Sequence, residues 1–183
     1  MMQMIRTSTA VVAGVLVALM LVSCASSQQR DNAQLPESRP SDFTLGLVVF
    51  GDPVAADMSM RSARYIIEPG GTLRASFGAG SDGMTYPQIT RRVSEDQLNA
   101  IWETVSKLSL EPQSGVSLGS GHWTQVQAPE LFKRSDFRAV ELGAGYLLEI
   151  RANGRWMAWE SYMFLGGPTS FVEMLADLAW VTD

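Results

Sequence analysis

The spacing of apolar side chains changes several times along this chain, and each change marks an element. Residues 10 to 22 form a run of 13 apolar or weakly polar side chains, and residues 25 to 42 hold almost none. From Phe43 the period becomes two. Phe43, Leu45, Leu47 and Val49 point one way and Thr44, Gly46, Val48 and Phe50 the other, which predicts a strand with both faces at least partly covered. A second strand over Ala63 to Ile67 leads through Glu68-Pro69-Gly70-Gly71 into a third over Thr72 to Phe77. Pro presets φ at the first central turn residue and Gly accepts a positive φ at the second, so the connection reads as a type II-like hairpin turn with the positive φ at Gly70. Gln88 to Val93 supplies a short fourth strand.

The period then lengthens to that of a helix. Ser94 and Gln97 make a capping box, and Val93 and Leu98 occupy the two positions of a hydrophobic staple. Leu98, Ile101, Trp102, Val105 and Leu108 share one stripe, opposite Glu95, Asn99, Glu103 and Lys107. Residues 111 to 145 lose any steady period and are broken by Pro112, Gly115, Gly119, Gly121, Pro129 and Gly143, which reads as a long loop. Tyr146 to Ala152 and Arg155 to Ser161 flank Asn153-Gly154, the favoured pair for a two-residue type I′ turn. That turn sets Ile150 against Met157 and Leu148 against Trp159 on a core side. Arg151 faces Trp156 and Glu149 faces Ala158 on a half-wet side. A last helix follows Gly167-Pro168, with Ser170 and Glu173 as a capping pair and Phe171, Met174, Leu175 and Leu178 on its buried face.

These elements define an α+β fold, an antiparallel sheet of roughly five or six strands covered by two helices. The fragments Tyr65-Ile66-Ile67-Glu68 and Tyr146-Leu147-Leu148-Glu149 suggest that it consists of two hairpin-helix modules.

Composition narrows the class. The chain has 183 residues, 46% hydrophobic and 18% charged, with 14 Lys and Arg against 19 Asp and Glu for a net charge of −5. That is too apolar for a disordered chain, and its acidity argues against a nucleic-acid partner. The single Cys excludes an internal disulfide and a Cys-based zinc cage.

That Cys has another reading. Arg6 precedes an apolar run of 13 residues, short of the roughly 20 needed to span a bilayer but suited to a secretory signal. The run ends in Leu21-Val22-Ser23-Cys24, which resembles the lipobox of bacterial lipoproteins. The resemblance implies that Cys24 receives a diacylglyceryl group, that residues 1 to 23 are removed as a signal peptide, and that the new amine is acylated, commonly with palmitate. Two or three acyl chains hold a protein on a bilayer where one does not. Ala25 in place of Asp implies the outer membrane, with the domain facing the periplasm. Residues 24 to 42 are then a lipidated Cys and a flexible tether, and 43 to 183 a single domain. The 18 residues after Cys24 reach at most about 60 Å. Without Arg6 the balance is 13 basic against 19 acidic groups, a net −6, so the lipid and not the protein surface does the anchoring.

The candidate chemistry is sparse. Gly78-Ala79-Gly80-Ser81-Asp82-Gly83 matches a dinucleotide-binding pattern, but Met84-Thr85-Tyr86-Pro87 cannot continue as the required helix, so it reads as a turn. Gly115-Val116-Ser117-Leu118-Gly119 matches a nucleophile elbow, with His122, the only His, five residues beyond Ser117. Met58 and Met60 have the spacing of a soft copper site, though two thioethers alone bind weakly. No metal site and no cofactor is expected. Trp156 with Arg151, joined by Trp123 and Trp159, makes a candidate contact surface, since Trp and Arg anchor interfaces. The competing reading has Trp102, Trp159 and Trp180 filling the core while Arg151 merely covers Trp156. The expected role is a non-catalytic accessory of the cell envelope that binds another envelope protein, peptidoglycan or a small ligand. The alternative is a small serine hydrolase using Ser117 and His122.

Overall fold

In the computed structural model, residues 35–83, 86–111, 123–126, 143–163 and 169–180 are described. Their strands are β1 (Thr44–Phe50), β2 (Ala63–Ile67), β3 (Thr72–Phe77), β4 (Ile89–Arg92), β5 (Leu110–Glu111), β6 (Trp123–Val126), β7 (Ala144–Ala152) and β8 (Arg155–Met163). Two helices, α1 (Glu95–Ser106) and α2 (Thr169–Trp180), accompany them. All eight strands join one sheet in the order β4-β3-β2-β1-β7-β8-β6-β5. Every pairing is antiparallel except that of β5 with β6.

The α+β class is thus as the sequence predicts, and the strand count is corrected upward from five or six to eight. The additional pair is β5 and β6, in and beside the stretch read as a long loop. Thr124 pairs with Glu160 and Leu110 with Trp123, so both strands exist through distant partners. Elements of two and four residues are too short to show a period of their own.

The alternation along β1 decides where the core lies. Phe43, Leu45, Leu47 and Val49 are buried together with Leu98, Ile101, Trp102 and Val105 of α1 and Phe171, Val172, Leu175 and Ala176 of α2, so both helices cover the same face. The cap of α1 forms as its sequence requires: Ser94 Oγ accepts from Gln97 N at 3.2 Å, and the Gln97 side chain accepts from Ser94 N at 2.8 Å. In α2 the reading is off by a turn position. Ser170 is already helical, because the helix begins at Thr169 and carries on into the buried Phe171 and Val172. The β7–β8 register is the one the Asn153-Gly154 turn predicts, with φ of 53° and 73° at the two residues.

Two expectations are corrected. β2 and β7 both run antiparallel to β1, one on each side, and their hairpins step outward from β1 in opposite directions. With both helices on one face, and Tyr65 and Tyr146 both in the core beneath them, only a reflection would relate the two halves. A reflection cannot relate two L-chains, so the resemblance of the two four-residue fragments does not mark a repeated module. The linker reading also stops short of Asp42. From Leu35 onward the chain is docked: Leu35 packs against the core, Arg39 Nε donates to Asn99 Oδ1 at 2.9 Å and pairs with Glu95, and Phe43 N donates to Pro40 O at 3.1 Å.

Candidate functional site

The pairing lays the remaining side chains of the sheet in rows on the face away from α1 and α2. One row runs Ile89, Arg74, Ile66, Gly46, Glu149, Ala158, Val126 from β4 to β6. The next carries Ser76, Arg64, Val48, Leu147, Glu160 and Thr124. At the turn end Thr44, Arg151 and Trp156 lie side by side.

The turn end is built from the chain inward. Type I′ geometry leaves the Asn153 and Gly154 amides pointing at solvent, and Asp42 takes both: Oδ1 accepts from Asn153 N at 2.8 Å and Oδ2 from Gly154 N at 2.6 Å. The Gly154 amide foremost, then that of Asn153 and the charge of Arg151, hold the Asp42 carboxyl below its ordinary value against a smaller desolvation effect. Arg151 Nε lies 3.8 Å from Asp42 Oδ2, and its guanidinium stands 5.7 Å from the centre of the Trp156 ring. Trp156 is 51% exposed. Two of the three predicted contact residues therefore meet. Trp123 does not join them; it is buried in the core with its ring 6.2 Å from that of Tyr146, and Trp159 is buried there too.

Farther along the same face lies a residue that sequence reasoning placed on the wet side. Glu149 is only 2% exposed, although it pairs across the sheet with Gly46 and Ala158 and not with polar residues. Gly46 has no side chain, which leaves room above β1 for Glu149 and Arg64, from the strands on either side, to sense one another. Burial pushes the Glu149 carboxyl up to about 8, and the Arg64 charge only partly opposes it. Glu149 Oε1 makes no hydrogen bond. Burial also lowers Arg64, opposed by Glu149 and then by Asp82 of the glycine-rich turn. The signal available was local: Leu147, on the supposedly wet side of the same strand, is apolar.

Gly78 and Gly80 have φ of +85° and +78°, and Ser81 N donates to Gly78 O at 3.1 Å, so the glycine-rich motif is a turn, and the next described element is β4. Met58 and Met60 are partly buried against the core. Ser117, His122 and Cys24 lie outside the described residues. Among the described residues no cluster of three or more His, Cys, Asp or Glu side chains could hold a metal ion, and no helix is long and apolar enough to cross a membrane. The geometry defines an α+β sheet protein with a rigid aromatic and cationic tip. No family model and no curated protein matches the chain.

Proposed function

We propose that this protein is a lipid-anchored component of the bacterial cell envelope whose folded domain binds a partner and performs no chemistry of its own. Cys24 carries the lipid, and Trp156 and Arg151 make the contact. The observation that supports the reading most directly is the half-exposed indole of Trp156, held at a turn clamped by Asp42. A rigid turn presents Trp and Arg at little cost in entropy, and these are the residues that most often anchor interfaces. An envelope protein or peptidoglycan, met at the periplasmic side of the outer membrane, suits this arrangement.

Crosslinking in intact bacterial cells tests it, with the full-length protein and metabolic palmitate labelling in parallel. The expected result is palmitate on the wild type and none on Cys24→Ala, with one dominant protein or glycan adduct that disappears in Trp156→Ala. Label retained without Cys24 removes the anchor reading; an adduct indifferent to Trp156 removes the contact reading.

A further inference from the structure

Among the described residues five large apolar side chains stand in solvent, and three of them gather at one edge of the sheet: Tyr86, Ile89 and Trp180, exposed by 56%, 60% and 54%. The edge is β4, outermost in the strand order and paired among the described residues with β3 alone. Ile89 registers with Arg74 on the face away from the helices. The Tyr86 ring packs under the Arg74 guanidinium at 4.0 Å, and its hydroxyl bonds Glu68, so it lies on that face as well. Trp180, the last residue of α2, packs at a tilt of 55° against Phe77 of β3 with ring centres 4.8 Å apart on the helix face. Arg91 Nη1 donates to Leu178 O at 3.2 Å and fixes the end of α2 over the edge.

The same edge carries unneutralised charge. Arg91 faces Leu73 and Arg92 faces Thr72, one toward each face of the sheet. Each makes a hydrogen bond to a backbone carbonyl, Arg92 Nε to Gly70 O at 3.2 Å, and among the described residues neither guanidinium meets a carboxylate. In a chain of net charge −5 this is a local basic spot bordered by three apolar side chains.

We propose that the outer edge of β4 docks an extended, acidic segment of a partner protein, which adds to the sheet as a further strand. The outer main-chain groups of the edge, unpaired among the described residues, supply the hydrogen bonds, and the selection comes from the two faces: the register shift at Thr90 turns Ile89 and Arg92 to one face and Arg91 to the other. Side chains of the incoming strand that turn to the helix face meet Trp180 and Arg91; those that turn to the other meet Ile89, Tyr86 and Arg92. The matching strand runs parallel to β4, with apolar residues opposite Ile89 and Thr90 and carboxylates opposite Arg91 and Arg92. A second copy of this chain is the poorer occupant, because an antiparallel β4 pair centred on Arg91 or on Arg92 sets that arginine about 5 Å from its own copy across the new seam, where like charges repel. Charge on an edge strand blunts indiscriminate pairing, and here it also selects the sign of the partner.

The test uses full-length protein in detergent and two fluorescein-labelled peptides, Thr-Val-Val-Glu-Glu-Thr and Thr-Val-Val-Lys-Lys-Thr, followed by anisotropy. Saturable binding of the acidic peptide is expected, at least about tenfold tighter than that of the basic one, with the preference reversed in Arg91→Glu/Arg92→Glu and the affinity lowered in Trp180→Ala. Arg92 is exposed, so Arg92→Glu alone retains the fold and is expected to narrow the preference. No saturable binding of either peptide up to about 1 mM, or a preference unmoved by either charge reversal, overturns the proposal. So does a dimer in sedimentation that the double variant abolishes, since the edge would then belong to a second copy.

Discussion

Replacing Glu149 with Gln is expected to make the protein more stable, and the more so the higher the pH. The folded domain holds this carboxyl up at about 8, against an ordinary 4.5 in the unfolded chain, because burial penalises its charge more than Arg64 rewards it. The contribution is therefore fully present below pH 4.5 and is lost as pH rises toward 8, since over that window the unfolded chain has released a proton that the folded one retains. At about 1.4 kcal/mol for each pH unit the loss comes to about 3 kcal/mol at pH 7 and about 5 kcal/mol above pH 8. Gln has nearly the shape of the protonated acid and no proton to lose. Urea denaturation followed by Trp fluorescence at pH 5, 7 and 9 measures the difference directly. The two proteins are expected to agree within about 1 kcal/mol at pH 5, with Gln ahead by about 3 kcal/mol at pH 7 and about 5 kcal/mol at pH 9. Parallel pH profiles, or a Gln variant weaker at every pH, would refute the reasoning that a buried neutral carboxyl sits on this face.

Trp123→Ala is expected to cost about 3 to 5 kcal/mol in the same assay, as removal of a buried aromatic does, and the half-exposed Trp156→Ala about 1 kcal/mol or less. Gly71→Ala is expected to cost about 2 kcal/mol, because the positive φ of the β2–β3 turn, +80°, falls there and not at Gly70 as a type II turn would have it, and a Cβ would stand 2.7 Å from Val93 O. Ser94→Ala, which removes one arm of the capping box, is expected to cost about 1 kcal/mol. For Asp42 the sign is the reverse of that for Glu149: its carboxyl lies below 3.8, so its stabilisation is present above that pH and disappears as pH falls through the depressed value. Asp42→Ala is expected to flatten that acid limb and to speed hydrogen exchange at the Asn153 and Gly154 amides, both measurable by NMR.

Much of the fold was legible because its signals are local. The alternation of Phe43 to Phe50, the capping residues of α1 and the Asn153-Gly154 turn each act within a few residues, and all three do what their chemistry requires. β5 and β6 were not legible, since Leu110 and Trp123 meet only through the fold of everything between them. For the candidate site the same division holds. Arg151 and Trp156 face each other because the turn fixes their register. Trp123 gave no hint of its burial, because nothing near it in sequence reveals that β6 lies beside β8. For Glu149 the one local sign of burial is the apolar Leu147 on the same side of its strand, set against the polar Arg151 on that side.

β1 is both the first strand after the N-terminal segment and an interior one, paired over Leu45–Val49 with β2 and over Thr44–Phe50 with β7. A pull that has broken the Leu35 and Arg39 contacts enters β1 at its first residue, and its component along the strand strains both ladders in shear, so that their bonds share the load at once instead of breaking one after another. With Asp42 bolted to the Asn153-Gly154 turn just outside the strand, tension reaches the hairpin tip before it reaches the ladders. A domain moored by its N-terminus would in this way resist mechanical extraction along the direction in which its mooring acts.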